Sequence, residues 1–180
     1  WGVCGWLWLE REAVDGHETV FFKGSGYDQH RTPSVWLSPL SSTPLLRCSE
    51  QEGEWDIGAT ATASLPLQRW THVCMMLTNH TISSLQSHES EHVEENKGEG
   101  GEKEVLQSST PQTQFEFRWI VDGVEETGLG FTKPIAANSG PLFVGKDPTF
   151  GGIQGYMAEL QVFGESLNAT QLQAVYTRSM

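Results

Sequence analysis

Positive charge is scarce in this 180-residue chain: 11 Lys and Arg stand against 23 Asp and Glu, a formal net charge of −12. Phosphate backbones are held mainly by Lys and Arg, so no nucleic acid partner is expected. Long apolar runs are missing too. Nothing approaches the roughly 20 residues that a membrane helix needs, so no membrane insertion is expected of this segment. Cysteine is sparse: Cys4, Cys48 and Cys74 form an odd set with no Cys-x-x-Cys and no Cys/His ligand spacing, which leaves zinc unsupported. Each lies in or beside an apolar run, where a free thiol behaves as a small buried hydrophobe. One disulfide with a leftover thiol is the alternative, and the redox compartment stays open. An initiating Met is also absent. The chain opens on Trp1, as a piece of a longer protein would, with its targeting information elsewhere.

What is present reads as strand after strand. Bulky, β-prone runs lie at Trp6–Glu12, Glu18–Lys23, Ser34–Ser38, Leu45–Cys48, Thr60–Leu65, Trp70–Leu77, Phe115–Val121, Leu142–Gly145 and Tyr156–Phe163. Gly, Pro, Asn, Asp and Ser separate them, and Asp122-Gly123 is a tight-turn pair. Near the C-terminus, Asn168–Thr177 has a helical pattern, with Leu172, Val175 and Tyr176 at i, i+3 and i+4. The fold class expected is all-β, an antiparallel two-sheet jelly-roll sandwich with a short C-terminal helix, formed by residues 1–180 as one domain. Residues 83–114 stand apart. They hold 7 Glu and 2 Lys among almost no apolar side chains, too little to offset the entropy of ordering them. An acidic low-complexity loop joining two paired strands is the expectation, because loop closure grows costlier only with the logarithm of length.

Several segments together carry a family likeness. Arg69-Trp70-Thr71-His72-Val73, followed after the insertion by Phe117-Arg118-Trp119-Ile120-Val121-Asp122-Gly123, resembles the W-x-H-V … V-D-G hairpin of the laminin-G-like group. That group belongs to the concanavalin A-like lectin/glucanase superfamily, alongside the pentraxins. Leu142–Gly145, then Gly151–Phe163 and Leu167–Leu172, is similar to the closing strand and helix of the same group. Gly5–Leu9 resembles its first core strand and Thr19–Lys23 its i-l-f-x-k-g segment. The resemblance implies two curved sheets packed face to face, with the termini close together. At the family's Asp-Glu pair this chain has Ala158-Glu159. Hydrolytic members carry a Glu-x-Asp-x-x-Glu strand, because retaining chemistry needs two carboxylates ~5 Å apart. The nearest string here, Glu89-Ser90-Glu91-His92-Val93-Glu94, lies in the low-complexity tract, so no enzyme is expected. His88-Glu89-Ser90-Glu91-His92 matches a zinc-peptidase spacing, but that chemistry needs a stable helix and a third ligand.

Calcium is the one cofactor the resemblance offers. Asp147 stands where pentraxins place an acidic, Gly-rich calcium loop, although Lys146 beside it opposes a cation and Asp147-Pro148 is also an ordinary turn. Asn79-His80-Thr81 and Asn168-Ala169-Thr170 are N-glycosylation sequons, Asn168 having a plain alternative as a helix N-cap. Of the tryptophans, Trp6, Trp8, Trp70 and Trp119 read as core. Trp36 and Trp55 border loops and are candidates to stack on a ligand, with Asp28, His30 and Arg31 as polar groups to orient it. The function expected is non-catalytic recognition of a carbohydrate or a protein partner within a larger protein, extracellular or at the cell surface. The alternative is a scaffolding domain of a large intracellular protein with no small ligand. Three unpaired cysteines would suit the second and the sequons the first.

Overall fold

The computed structural model describes residues 1–24, 31–52, 56–82, 112–131 and 133–178. Its strands are β1 (Gly2–Leu9), β2 (Glu18–Lys23), β3 (Ser34–Leu37), β4 (Pro44–Cys48), β5 (Ile57–Thr60), β6 (Trp70–Ile82), β7 (Gln112–Val121), β8 (Val124–Phe131), β9 (Leu142–Val144), β10 (Gly151–Gly152) and β11 (Gly155–Phe163). The helix α1 spans Ala169–Arg178. The strands form two sheets, one in the order β11–β1–β6–β7–β8, the other β10–β2–β3–β4–β5, with β9 also paired to β2. Pairing between strands is antiparallel apart from the two-residue contact of β10 with β2. The all-β jelly-roll sandwich with its C-terminal helix is therefore the observed architecture.

Side-chain alternation builds the core. On β1, Val3, Leu7 and Leu9 face the opposite sheet; on β6, Val73 and Met75 do so; on β7, Phe117 and Trp119. They meet Val20, Phe21, Val35, Leu37 and Leu46 of the second sheet. Because successive residues point to opposite faces, Cys4, Trp6 and Trp8 of β1, and Trp70, His72, Cys74 and Met76 of β6, line the outer face. Helix α1 lies there. Leu167 and Leu172 pack on Cys4, Cys74, Met76 and Ile120 as a second buried cluster. The N-terminus of the helix is a capping box: Asn168 N–H donates to Gln171 Oε1 at 2.9 Å, and Gln171 N–H donates to Asn168 Oδ1 at 3.0 Å.

The structure shifts several expected boundaries. Of the run Thr60–Leu65 only Thr60 lies in a strand. The β4 partner strand begins at Pro44, which has no N–H to extend the ladder, and pairing ends at Leu45↔Thr60. The strand lies instead at Ile57–Thr60, where Gly58 leaves room for the Arg47 side chain that a Cβ would strike. Gln112, Thr113 and Gln114, expected in the acidic loop, belong to β7, opposite Ile82, Thr81 and His80. The rest of that tract, 83–111, lies outside the described residues, as does the His88–His92 match. Asp122 and Gly123 both have positive φ (48° and 80°), the backbone of a tight hairpin turn that leads into the polar strand β8.

Cysteine takes the second of its two readings. Cys4 lies directly opposite Cys74 in the β1–β6 ladder, and the two form a disulfide across 70 residues. Cys48 remains a buried thiol, its pKa pushed up to about 12 by desolvation.

Candidate functional site

Three residues singled out from the sequence meet on the outer face of the second sheet. The Arg31 guanidinium sits 5.0 Å above the Trp36 ring, and Trp36 Nε1 donates to Asp147 Oδ2 at 3.1 Å. Trp36 is only 3% exposed. Phe150 meets its ring edge-on at 4.9 Å, Phe22 lies alongside at 6.4 Å, and Leu45 and Phe143 complete the cluster. Trp36 is thus packed within the fold and has no open face for a ligand, contrary to expectation. Two of the residues covering it, Phe143 of β9 and Phe150 of the loop after it, lie more than 100 positions later, beyond the reach of local pattern.

Asp147 is likewise occupied. Its Oδ2 also accepts from Thr19 Oγ1 at 2.7 Å, while Oδ1 accepts the N–H groups of Thr149 and Phe150, both at 2.6 Å. Four donors saturate the carboxylate, which is 4% exposed. That is the geometry of a loop anchor and not of an open calcium ligand. Arg31 extends its other contact to Asp56, 2.9 Å away, which Arg47 also approaches. Asp28, His30 and Trp55 lie outside the described residues. Asn79 sits in β6 opposite Phe115, and its side chain is likewise outside them.

A different surface is open. On the first sheet, Trp8 is opposite Trp70 of β6 on one side and opposite Tyr156 of β11 on the other. The three form a row across adjacent strands on the outer face, just past the end of α1. Trp8 and Trp70 meet edge-to-face at 5.8 Å. Trp70 is 43% and Tyr156 60% exposed. The Tyr156 hydroxyl is hydrogen-bonded to Glu10, whose carboxylate raises the phenol's pKa. Trp6, one repeat further along β1, is covered: it packs on His72 at 5.2 Å and on Tyr176 of α1 at 6.0 Å. The reading of Trp8 and Trp70 as core was therefore mistaken, although that of Trp119, fully buried, was right. The alternation Trp6-Leu7-Trp8-Leu9 already put both tryptophans on the face opposite the leucines; the missing information was how far the helix covers that face.

A pocket of about 300 Å³ lies beside Arg69, the residue before Trp70, lined also by Ser64, Pro66, Asp122, Val124 and Glu126. Arg69 Nη2 donates to Asp122 Oδ2 at 3.1 Å, and Asp122 Oδ1 accepts the His72 backbone N–H at 2.9 Å. Asp122 N–H in turn donates to the His72 carbonyl. The turn residue Asp122 thus ties the β7–β8 hairpin to β6 and holds Arg69 beside Trp70.

His72 is the buried titratable group under this surface. Its pKa is lowered by desolvation, against the opposing pull of Asp122 and Glu159. The unfolded chain therefore takes up a proton more readily than the folded one, so stability is greatest above the ordinary imidazole pKa near 6.5 and falls as pH drops below it. Urea unfolding between pH 7.5 and 5 (on the order of 0.5 pH steps) is expected to show this loss, and His72→Gln to flatten it. An unchanged slope in the variant would assign the loss elsewhere. His72 Nδ1 also lies 4.0 Å from Cys74 Sγ. With Cys4 it would make a soft-metal triad, but both sulfurs are joined in the disulfide.

No protein-family model matches the chain, and no curated protein matches it in sequence. Solved structures do match in fold. The receptor-binding domain of botulinum neurotoxin type G aligns over 99% of this chain with a TM-score of 0.60 at 9% identity, the chain spanning 38% of that one. The CBM40 of the IT-sialidase of Ruminococcus gnavus aligns over 97% (81% of that chain), with a TM-score of 0.56 at 12% identity. Domain 4 of AbnA, a GH43 extracellular arabinanase from Geobacillus stearothermophilus solved with arabinotriose, aligns over 97% (65% of that chain), with a TM-score of 0.54 at 13% identity. At such identities the likeness establishes the shared β-sandwich and nothing finer.

Proposed function

We propose that this chain is a non-catalytic, laminin-G-like recognition domain of an extracellular protein, and that it binds carbohydrate along the Trp8–Trp70–Tyr156 row. The observation that carries this reading is the exposure of Trp70 and Tyr156 in one line across the sheet. Strands lie ~4.8 Å apart, so the row extends ~10 Å, about the length of two sugar rings. The C–H faces of a sugar are apolar and pack on aromatic rings, whose faces are electron-rich. Its hydroxyls then find polar partners at the rim in Glu10, Arg69, Asp122 and Glu126, the small set of polar groups that fixes orientation in such sites. Glu10 beside Tyr156 and the overall acidity favour neutral over polyanionic glycans.

The fold likeness to a domain solved with arabinotriose supports a sugar ligand, and the likeness to a receptor-binding domain keeps a protein ligand as the competing outcome. The intracellular scaffold reading leaned on three unpaired cysteines. The Cys4–Cys74 disulfide removes that support, because such bonds persist in oxidising compartments.

A glycan array followed by calorimetry tests the proposal. Binding to neutral oligosaccharides is expected, with Trp70→Ala plus Tyr156→Ala weakening it about 10- to 100-fold, given ~0.5–1.5 kcal/mol for each aromatic contact. Thermal stability should stay near that of the wild type. Silence across the array, or full binding by the double variant, would sink it.

A further inference from the structure

We propose that Asn168 is an N-glycosylated residue of this protein. The sequon Asn168-Ala169-Thr170 opens the helix, and all three residues are exposed. As a helix cap, Asn168 would be expected to have its side chain committed, but the capping box uses only part of it. Its backbone N–H and its Oδ1 make the two bonds to Gln171. The amide nitrogen Nδ2, the atom that receives a glycan, has no partner among the described residues. An N-linked asparagine keeps its carbonyl oxygen, so the cap and the modification occupy different atoms of one side chain and coexist.

Two further features fit. The disulfide between Cys4 and Cys74 fits an oxidising compartment such as the secretory one, in which N-glycans are attached. Position also suits the folded domain. Helix α1 is ten residues long, about 15 Å, and its other end places Tyr176 against Trp6 and His72. A glycan at Asn168 is therefore rooted about a helix length from the end of α1 that packs on Trp6 and His72. In the transfer, Nδ2 bonds to the anomeric carbon of a lipid-pyrophosphate-linked oligosaccharide. The bond from that carbon to the pyrophosphate oxygen breaks, one amide proton passes to a base of the transferase, and the lipid pyrophosphate departs. The inference does not depend on which ligand the aromatic row takes.

The test is expression of the full chain behind a secretion leader in eukaryotic cells. Enzymatic deglycosylation in heavy-oxygen water follows, then peptide mapping of the pooled medium and cell extract so that poor export hides nothing. The Asn168 peptide is expected to be converted to Asp with heavy oxygen incorporated. Thr170→Ala should abolish this while keeping the Asn168 cap, and Asn168→Asp should remove the acceptor while remaining a good cap. An unmodified Asn168 in disulfide-bonded chain, a glycan at Asn79 alone, or occupancy that survives Thr170→Ala would overturn the proposal.

Discussion

Replacing Cys4 and Cys74 together with Ala is expected to cost about 4 kcal/mol of folding stability and to lower the melting temperature by on the order of 10 °C. The bond closes a loop of 70 residues, and in the chain-entropy account the stabilisation grows with the logarithm of that length. Packing adds to it, since both half-cystines lie beneath Leu167 and Leu172 and their loss loosens the seat of α1. The check is urea unfolding with and without a dithiol reductant. Reductant should destabilise the wild type and leave the double variant unmoved. Cys48 supplies the control: with its thiol held protonated to about pH 12 and buried, Cys48→Ala should keep the full response to reductant. A wild type indifferent to reduction would contradict the account.

Asp147→Ala is expected to cost roughly 3 to 5 kcal/mol, because it strips the acceptor from a hydroxyl, an indole N–H and two backbone N–H groups at once, each costly to leave buried and unpaired. Thr19 and Trp36 belong to neighbouring strands of the second sheet, whereas Thr149 and Phe150 belong to the loop that Asp147 begins. Without the carboxylate that loop is no longer fastened to the sheet, and Phe150 loses its place against Trp36. Asp147→Asn should also destabilise, since an amide nitrogen must then face donors on one side. Thermal melts and tryptophan fluorescence measure both variants. In the wild type, added calcium or EDTA should leave the melt unchanged; a calcium-dependent rise lost in Asp147→Ala would restore the cation reading. A loss below about 1 kcal/mol would refute the anchoring role.

The strand pattern was legible because alternation on β1 and β7 is a local property: Val3, Leu7 and Leu9 announce a buried face wherever the strand goes. Strand β8 was less so, being polar and at the edge of its sheet, with little burial to mark it. The roles of the tryptophans were misassigned for a non-local reason. Trp36 sits between Pro33 and Pro39 and reads as a loop margin, yet Phe143 and Phe150 cover it. Trp8 and Trp70 read as core, yet α1 stops short of them. The same holds for the cysteines. Their pairing follows from the register of β1 on β6, which places Cys4 against Cys74 and which no spacing in the sequence encodes.

The long β6–β7 ladder has a practical consequence for engineering. Trp70 and the Asp122 turn stand at one end of it, and Ile82 and Gln112 at the other, roughly 40 Å away along the strand at ~3.3 Å per residue. The described chain breaks off at Ile82 and resumes at Gln112, both at that remote end. A fluorescent reporter attached next to Ile82 or Gln112 would therefore enter the chain about 40 Å along the ladder from the Trp70 end.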